Sequence, residues 1–294
     1  MDAADLRFFE TVARLGSMNR AAAELHTVQS NVTARIKALE ADLDRPLFKR
    51  MNSGVSLTAA GHRLLPFATR AARLLEDAGK AVRDDGTPSG ALTVGCLETT
   101  AALRLAPVLT DFVASHPAVD LSLKTGTSRE LIEHVLQQQV DGAFVCGPVC
   151  HPDLQSETFF HEKLVLLTAP NCADAGELIR KPDLLIVVLR SGCSYRFQLE
   201  AYLARSGVVG VRMLEFGTLE AILTCVSAGL GITLFPAALI GPVCQRARVR
   251  LHPLPDGTGT VDTVFIRHRE AYESSALRAF LDLVRPSQSR MAAE

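Results

Sequence analysis

The chain has 294 residues with a formal net charge of −1, and 48% of its residues are hydrophobic while 21% are charged. This composition is that of a globular protein with two or three domains, and it excludes a disordered chain. Residues 1–87 hold 13 Lys+Arg against 11 Asp+Glu, so charge alone neither favours nor opposes binding to nucleic acid.

Three features indicate the cellular compartment. The N-terminus, MDAADLRFFETVARLG, is acidic and amphipathic, and it lacks the basic start and apolar core of an export signal. No apolar run approaches the roughly eighteen residues that a membrane span needs. The seven cysteines are an odd number scattered from Cys96 to Cys244, as expected for free thiols in a reducing environment. We therefore predict a cytoplasmic protein with no membrane partner.

Three helices are predicted at the start of the chain. Residues 5–15 form an amphipathic first helix, and Ser17 is the expected N-cap of a second helix that contains Ala21 and Ala22. A turn at 26–28 leads to a third helix over 28–43. Its apolar side chains recur at steps of four, three and four: Val32, Ile36, Leu39 and Leu43. This order matches the helix-turn-helix plan, in which the later helix enters the major groove of DNA.

The opposite side of the third helix carries hydroxyl and amide side chains, which can approach a groove closely and both donate and accept hydrogen bonds. After this helix, Pro46-Leu47-Phe48 begins a hairpin whose tip is rich in cations, which suits phosphate or minor-groove contacts. The DNA-contacting residues predicted on these two segments are Gln29, Ser30, Asn31, Thr33, Lys37, Lys49, Arg50 and Asn52. Amphipathic helices are common, so the prediction of double-stranded DNA as the partner depends on the order of the elements and on the basic hairpin.

A long helix is predicted from Thr58 to about Arg83. Its apolar residues follow the 3.5-residue repeat of a coiled coil: Leu64, Ala68, Ala71, Leu75, Ala78 and Val82. A helix roughly 40 Å long cannot hide such a seam against a small domain, so pairing with a second chain is favoured over packing within one chain. Pro66 predicts either a kink or the meeting point of two helices.

Residues 84–90, DDGTPSG, form a polar linker and the clearest domain boundary. Beyond it, predicted strands alternate with helices, which implies parallel strands joined by right-handed crossovers. Strands are predicted at 91–96, 119–124, 142–146, 164–168, 184–189, 211–215, 231–235 and 261–267. Helices are predicted at 101–115, 128–139, 194–205, 219–228 and 274–284.

Two stretches carry a family resemblance. AAAELHTVQSNVTARIKALEADLDRPLFKR at 21–50, with LTAAG at 57–61, resembles the winged helix-turn-helix of the LysR-type transcriptional regulators, and the second stretch is GTLEAILTCVSAGLGITLFP at 217–236. The resemblance adds Arg35 to the predicted DNA contacts, because Arg35 lies one position from the arginine of the family's Ser-Arg pair. Val28 departs from the family pattern, which has a hydroxyl residue at that position.

The resemblance implies an α/β fold with a winged helix-turn-helix DNA-binding domain at 1–58, a linker and dimerisation helix at 59–87, and an effector-binding domain at 88–294. The last of these is similar to periplasmic binding proteins, with lobe I at 88–162 and 265–294 and lobe II at 163–264. The resemblance further implies a transcriptional regulator that forms homodimers or homotetramers, responds to a small-molecule effector and acts with RNA polymerase.

In open α/β sheets, ligands bind beyond the carboxyl ends of strands, where helix N-termini present free N–H groups. Small residues, most of them hydroxyl-bearing, occupy four such ends: Thr99, Thr100, Thr127, Ser128, Cys193, Ser194, Gly217 and Thr218. Each is also a common helix cap, so the prediction of an effector site rests on their convergence. Arg196 adds a positive charge, which favours an anionic effector that carries a carboxylate.

Two other functions are weighed against this one. Cys146, Cys150 and Cys193 suggest a regulator that senses oxidants through thiols, because a helix N-terminus can lower a thiol pKa. An α/β enzyme or a solute-binding protein is less favoured. The chain lacks a Walker loop, a dinucleotide-binding glycine fingerprint, a Gly-x-Ser-x-Gly elbow and a paired-histidine zinc motif. No catalytic residue, metal ligand or cofactor is therefore predicted.

Overall fold

The computed structural model of the protein describes residues 1–51, 54–181, 183–240, 248–255 and 259–291. Asn52 and the side chain of Arg50, both predicted DNA contacts, lie outside the described residues, as does Cys244. The chain divides into two compact units, Met1–Asp85 and Gly86–Glu294, and this division falls within the predicted linker. No helix among the described residues combines the length and the apolar character that crossing a membrane requires.

The first unit contains the predicted helices and hairpin. Its elements are α1 (Ala3–Leu15), α2 (Met18–Glu24), α3 (Gln29–Asp42), β1 (Phe48–Met51), β2 (Gly54–Leu57) and α4 (Ala59–Arg83). Asp2 and Asp5 form a capping box at the start of α1. Ser17 caps α2 as predicted, because its hydroxyl accepts the backbone N–H of Arg20 at 3.4 Å.

The apolar side of α3 faces the core of this unit, as its spacing predicts. Val32, Ile36 and Leu39 are almost fully buried against Phe9 and Val12 of α1. Burial of a side chain of this size contributes roughly 1.5–3 kcal/mol. The core therefore fixes which side of α3 is turned to solvent.

The residues between α3 and α4 hold the hairpin in place. The Glu40 carboxylate accepts backbone N–H groups from Leu47 at 2.7 Å and Phe48 at 3.1 Å. Thr58 caps α4 by accepting the Gly61 N–H at 3.1 Å, and its hydroxyl donates to the Pro46 carbonyl at 2.7 Å. A side chain at Gly61 would collide with the Leu47 carbonyl. The same local structure is thus stabilised by three short segments of the sequence: Leu39-Glu40, Pro46-Leu47-Phe48, and Leu57-Thr58 with Gly61.

The long helix is continuous through Pro66, so the prediction of two abutting helices is wrong. The predicted seam is also divided. Leu64 and Ala68 pack in the core of their own unit. Beyond them, α4 exposes large apolar side chains at 51–88% of their surface: Phe67, Leu74, Leu75 and Val82. We call these four the α4 apolar surface.

The second unit is built on a mixed sheet. Its strands are β3 (Gly90–Cys96), β4 (Val119–Thr125), β5 (Gly142–Cys146), β6 (Leu154–Thr168), β7 (Leu185–Leu189), β8 (Arg212–Phe216), β9 (Thr233–Pro236), β10 (Arg250–Pro253) and β11 (Thr260–His268). Its α-helices are α5 (Glu98–Thr100), α6 (Ala106–Ser115), α7 (Ser128–Leu136), α8 (Ala175–Ile179), α9 (Ser194–Arg205), α10 (Leu219–Ser227) and α11 (Ser275–Met291). A π-helical turn, Ala101–Leu105, joins α5 to α6, and Ala237–Leu239 form a 3-10 turn.

The parallel arrangement predicted for these strands holds only in part. The main sheet has the order β10-β6-β11-β5-β3-β4, with β9 also on β6, and β7 pairs with β8. The β3–β4, β3–β5 and β7–β8 pairs are parallel, whereas every described pair formed by β6 is antiparallel. The prediction of β6 missed its first ten residues, because exposed polar side chains such as Gln155, Ser156 and Glu157 hide the strand pattern.

Three apolar cores share the long strands β6 and β11. One core takes Phe159 and Phe160 from β6, a second takes Leu164 to Leu167, and a third takes Leu154. The β11 ladder has an irregularity between Thr263 and Val264, close to where the cores change over. The predicted limits of lobes I and II lie at or beside this crossing and stay predictions.

A buried ion pair lies at the same level of β6. Glu162 is 4% exposed, and both its oxygens accept hydrogen bonds from the Arg104 guanidinium, at 3.0 and 3.1 Å. The guanidinium also lies over the ring of Phe160. This bidentate geometry compensates for the loss of water around both charges.

Candidate DNA-reading surface and interlobe cleft

The outer face of α3 carries polar side chains that are free to reach a ligand. Gln29, Ser30, Asn31 and Lys37 are exposed, while Thr33 is half-buried. The Gln29 side-chain amide donates to the Thr33 hydroxyl at 2.9 Å, and the Asn31 amide donates to the Thr27 hydroxyl at 3.0 Å. Lys37 forms no ion pair with the described part of the chain. These five predicted contacts thus all lie outside the buried face of α3.

Arg35, which the family resemblance adds to the predicted DNA contacts, is paired within the protein. Its guanidinium donates to the Asp5 carboxylate at 2.8 Å and lies 5.1 Å from the centre of the Phe8 ring. Both partners belong to α1. In this structure Arg35 therefore holds α3 against α1, and its charge is already paired on the side away from Gln29 and Lys37.

The hairpin is fixed beside the face of α3. The Val55 N–H donates to the Gly16 carbonyl at 3.0 Å. Gly54 has φ +141°, and a side chain there would collide with the same carbonyl. Lys49 is exposed on β1 and forms no ion pair with the described residues. A groove of about 390 Å³ between α3 and the hairpin is lined in part by Gln29 and Thr33.

One further residue of this surface is exposed, although it is not among the predicted contacts. Val28 is the N-cap of α3 and is 65% exposed, and its side chain makes no capping hydrogen bond. Exposed methyl groups at the start of a groove-binding helix can contact the thymine methyl group. The sequence already marked this position, because the LysR-type regulators usually have a hydroxyl residue where Val28 stands.

In the second unit, four of the predicted effector residues line one cleft. It has a volume of about 50 Å³ and contains Thr99, Thr127, Cys193 and Gly217. Because these residues come from the ends of β3, β4, β7 and β8, the topology places all four predicted strand ends together. We call this space the interlobe cleft, after the two lobes that the family resemblance predicts.

Hydrogen bonds join side chains on different segments at the cleft and next to it. The hydroxyl groups of Thr99 and Tyr195 are 3.1 Å apart, and burial raises the pKa of Tyr195, so its phenol stays protonated. The Ser194 hydroxyl donates to the Ser128 hydroxyl at 2.9 Å, and Ser128 also accepts the Cys146 N–H at 3.1 Å. The N-termini of α7 and α9 are thereby joined.

Five predicted effector residues do not line the cleft. Thr100 is buried behind it. Thr218 is exposed and caps α10 by accepting the Ala221 N–H. The Arg196 guanidinium donates to Glu200 at 3.1 Å and to Glu215 at 2.8 Å, so its charge is paired. Ser128 and Ser194 lie beneath the cleft, and with Arg196 they line a wider neighbouring groove.

The charges that do line the cleft were missed. Arg190 and Glu98 are both lining residues, and each follows a buried strand in the sequence. Arg190 has a loose ion pair with Glu130, with N and O 4.0 Å apart. Hydrogen bonds from the backbone N–H and the hydroxyl of Thr127 lower the pKa of Glu130, which remains ionised as part of the capping box of α7.

The three cysteines that suggested a sensor of oxidants lie along the wider groove. Cys146, Cys150 and Cys193 all line it. Burial raises the pKa of Cys146 to about 11 and raises the pKa of Cys193 as well. Since the thiolate is the reactive species, burial at these two positions opposes oxidation rather than favouring it.

Two family models match the chain. The model described as "Bacterial regulatory helix-turn-helix protein, lysR family" matches residues 3–62. The model described as "LysR substrate binding domain" matches residues 85–289. The two matches include the whole of α3 with its hairpin and every strand of the second unit.

Curated proteins match along almost the full length. The chain is 44% identical over 286 residues to the uncharacterized HTH-type transcriptional regulator YusT of Bacillus subtilis (strain 168), with 97% of this chain and 96% of that protein covered. It is 39% identical over 284 residues to the HTH-type transcriptional regulator CzcR of Bacillus anthracis, with 97% of each covered. It is 39% identical over 291 residues to the HTH-type transcriptional regulator GltR of Bacillus subtilis (strain 168), covering 97% of this chain and 98% of that protein.

Solved structures show the same fold. Full-length OxyR from Pseudomonas aeruginosa has a TM-score of 0.75 at 19% identity, covering 98% of this chain and 94% of that one. CbnR in complex with its target DNA has a TM-score of 0.65 at 25% identity, covering 98% of this chain and 100% of that one. The predicted family and fold class are confirmed. The chain belongs to the LysR family and is a sequence-specific DNA-binding transcriptional regulator with a helix-turn-helix domain followed by an effector-binding domain.

Proposed function

We propose that the outer face of α3 reads base edges in the major groove. This proposal rests on one observation: the face of α3 opposite the core is exposed, and the core holds the other face. The exposed residues are Gln29, Ser30, Asn31 and Lys37. The Gln29 amide suits adenine, and the shorter hydroxyl and amide groups can adapt to other edges. Arg35 is left out of this set because Asp5 holds it.

The hairpin supplies contacts to the DNA backbone in this proposal. Lys49 is exposed and lacks an ion-pair partner among the described residues, so it can approach phosphate without breaking a protein contact. Such contacts fix the orientation of α3 and add affinity that falls with salt. Arg50 and Asn52 stay in the proposed set from the sequence alone.

Two copies of the chain associate through the α4 apolar surface. Phe67 is 71% exposed, Leu74 66% and Val82 88%, and a second copy of the helix would bury them. A two-fold pair of α3 helices then requires half-sites about 34 Å apart on DNA. Further association into a tetramer, and contact with RNA polymerase in the cytoplasm, complete the proposed action as a regulator.

The interlobe cleft is the proposed effector site, and its ligand carries a carboxylate. Thr99, Thr127 and Cys193 line the cleft as proposed from the sequence, and Arg190 replaces Arg196 as the cation. Its loose pairing with Glu130 leaves the guanidinium able to turn towards a ligand. Effector binding changes the separation of lobes I and II, and through it the affinity for DNA.

The DNA-binding proposal is tested with Gln29→Ala and Lys49→Ala in the full chain. Bound genomic fragments are first selected to define the operator. Gln29→Ala is expected to weaken operator binding roughly tenfold while changing binding to random duplex little, since a good base contact contributes about 1–3 kcal/mol of discrimination. Lys49→Ala is expected to weaken binding to both and to reduce the salt dependence by about one phosphate contact.

Lys163→Ala is the matched control, since Lys163 is an exposed lysine of the effector-binding domain. It is expected to leave operator affinity and its salt dependence unchanged. The assignment of the reading face is wrong if Gln29→Ala and Lys49→Ala behave like this control.

A further inference from the structure

We infer that the effector is a small amino acid, carrying an ammonium group as well as a carboxylate. This inference rests on the proposed role of the interlobe cleft as the effector site. It adds a second charge to the proposed ligand and assigns that charge a partner, Glu98.

Glu98 is a half-buried carboxylate that lines the interlobe cleft. It makes no hydrogen bond or ion pair with the described part of the chain, although it lies close enough to oppose ionisation of the Cys193 thiol. A carboxylate held in a cleft without a partner repels a purely anionic ligand. An ammonium group would instead form charge-assisted hydrogen bonds with it.

Arg190 supplies the opposite charge within the same cleft. Its distance of 4.0 Å to Glu130 is too long for a hydrogen bond, so the guanidinium keeps its donors available for a ligand carboxylate. Glu98 and Arg190 form no ion pair with each other. The cleft therefore presents one negative and one positive group, both with unused hydrogen-bonding capacity, and an amino acid matches both.

The size of the cleft limits the ligand. The cleft is narrow, with a volume of about 50 Å³. Leu97 and Leu189 border this space together with Thr99, Thr127 and Tyr195, so the remainder of the ligand meets apolar as well as polar groups. A short side chain fits these surroundings, and a large aromatic one would force the lobes apart.

The test compares each amino acid with the acid that lacks only its amino group, using the full chain. Suitable pairs are alanine with propionate, aspartate with succinate, and glutamate with glutarate. Binding is measured by calorimetry and by the shift of thermal unfolding. At least one amino acid is expected to bind roughly tenfold or more tightly than its partner acid, because a hydrogen bond to a charged group is at stake.

Glu98→Gln is expected to remove this preference, lowering affinity for the amino acid roughly tenfold while leaving the partner acid bound as well or better. Glu133→Gln is the matched control. Glu133 is a surface carboxylate of α7, paired with Arg129 at 3.4 Å, and it does not line the interlobe cleft. Its substitution should leave both affinities unchanged.

Three results would overturn the inference: partner acids that bind as tightly as the amino acids, a preference that survives in Glu98→Gln, or no binding by either set. The cleft itself is tested separately. If Arg190→Gln leaves the response of operator binding to the low-molecular-mass fraction of a cell extract unchanged, the proposed effector site is wrong. If Arg190→Gln abolishes that response while the amino acids fail, only the ligand class is wrong.

Discussion

The two units of this regulator differ in how much their polar and apolar groups are exposed to solvent or bonded to each other. The helix-turn-helix unit leaves surfaces exposed to solvent: the outer face of α3, Lys49 of the hairpin and the α4 apolar surface. The effector-binding unit joins several of its buried polar groups to one another. Thr99 bonds Tyr195, Ser128 bonds Ser194, and Glu162 pairs with Arg104.

From this difference we infer that the helix-turn-helix unit binds DNA without rearrangement, whereas the effector-binding unit changes state. A reading face held by its own core needs no rearrangement to bind DNA. Hydrogen bonds across a cleft, in contrast, must break or be replaced when the lobes separate or a ligand enters. Substitutions in the first unit are therefore expected to alter association while preserving stability, and substitutions in the second to alter stability or response.

The largest effect is expected for Leu75→Asp on the α4 apolar surface. Leu75 is already 51% exposed in the single chain, so the substitution should leave helix content unchanged. Each dimer would lose two buried leucines, at roughly 1.5–3 kcal/mol each, and would gain two buried charges. Sedimentation should show a shift from dimer to monomer. Val209→Asp, at an 81% exposed position of the effector-binding domain, is the control and should not shift the mass.

A loss of stability of about 3–5 kcal/mol is expected for Glu162→Ala, because Arg104 would lose the buried carboxylate opposite it. Denaturant unfolding of the effector-binding domain measures this loss. Glu157→Ala is the control on the same strand. Glu157 pairs with Arg285 at the surface, where such pairs contribute at most about 1 kcal/mol. Equal losses of stability in the two variants would mean that the buried Arg104–Glu162 pair contributes no more than a surface pair.

Tyr195→Phe is expected to cost about 1 kcal/mol, because the ring stays packed near Phe235 while the Thr99 hydroxyl loses its partner. Thermal unfolding measures the change. Tyr202→Phe, on the same helix, should show no comparable loss. A Tyr195→Phe protein as stable as the parent would mean that the bond across the cleft contributes nothing.

The smallest effect is expected for Val28→Thr, which should stabilise the helix-turn-helix unit by about 1 kcal/mol. A threonine hydroxyl at the N-cap of α3 can accept a backbone N–H that Val28 leaves without a side-chain acceptor. Denaturant unfolding followed by helix content tests the gain, with Val28→Ala as a variant that should not gain. Base preference at one operator position should change as well, because one methyl group is lost.

The sequence predicted local structure better than it predicted the cleft. The core side of α3 followed from the spacing of Val32, Ile36 and Leu39, since a helix places such residues on one face. The interlobe cleft is assembled from four segments, and the sequence located their ends but not their side-chain partners. Arg196 was predicted to be the cation that binds the effector, yet its guanidinium donates hydrogen bonds to Glu200 and Glu215. Arg190 lines the cleft instead.

Long-range pairing explains the other features that the sequence did not reveal. Leu64 and Ala68 fit the coiled-coil spacing of α4, but α1 packs against them and removes them from the exposed seam. The first part of β6 is polar on the surface, so only its pairing with β11 reveals it as a strand. Arg35 was placed by resemblance, and its contact with Asp5, thirty residues earlier, could not be read from spacing.

We infer that the state of the interlobe cleft controls DNA binding. The direct test is a reversible disulfide between the lobes, made with Ser128→Cys and Ser194→Cys, whose hydroxyl oxygens are 2.9 Å apart. Operator affinity is measured with and without the low-molecular-mass fraction of a cell extract, in oxidised and reduced protein. We predict that the reduced protein responds like the parent and that the oxidised protein does not respond. An oxidised protein that responds as strongly as the parent would contradict the claim.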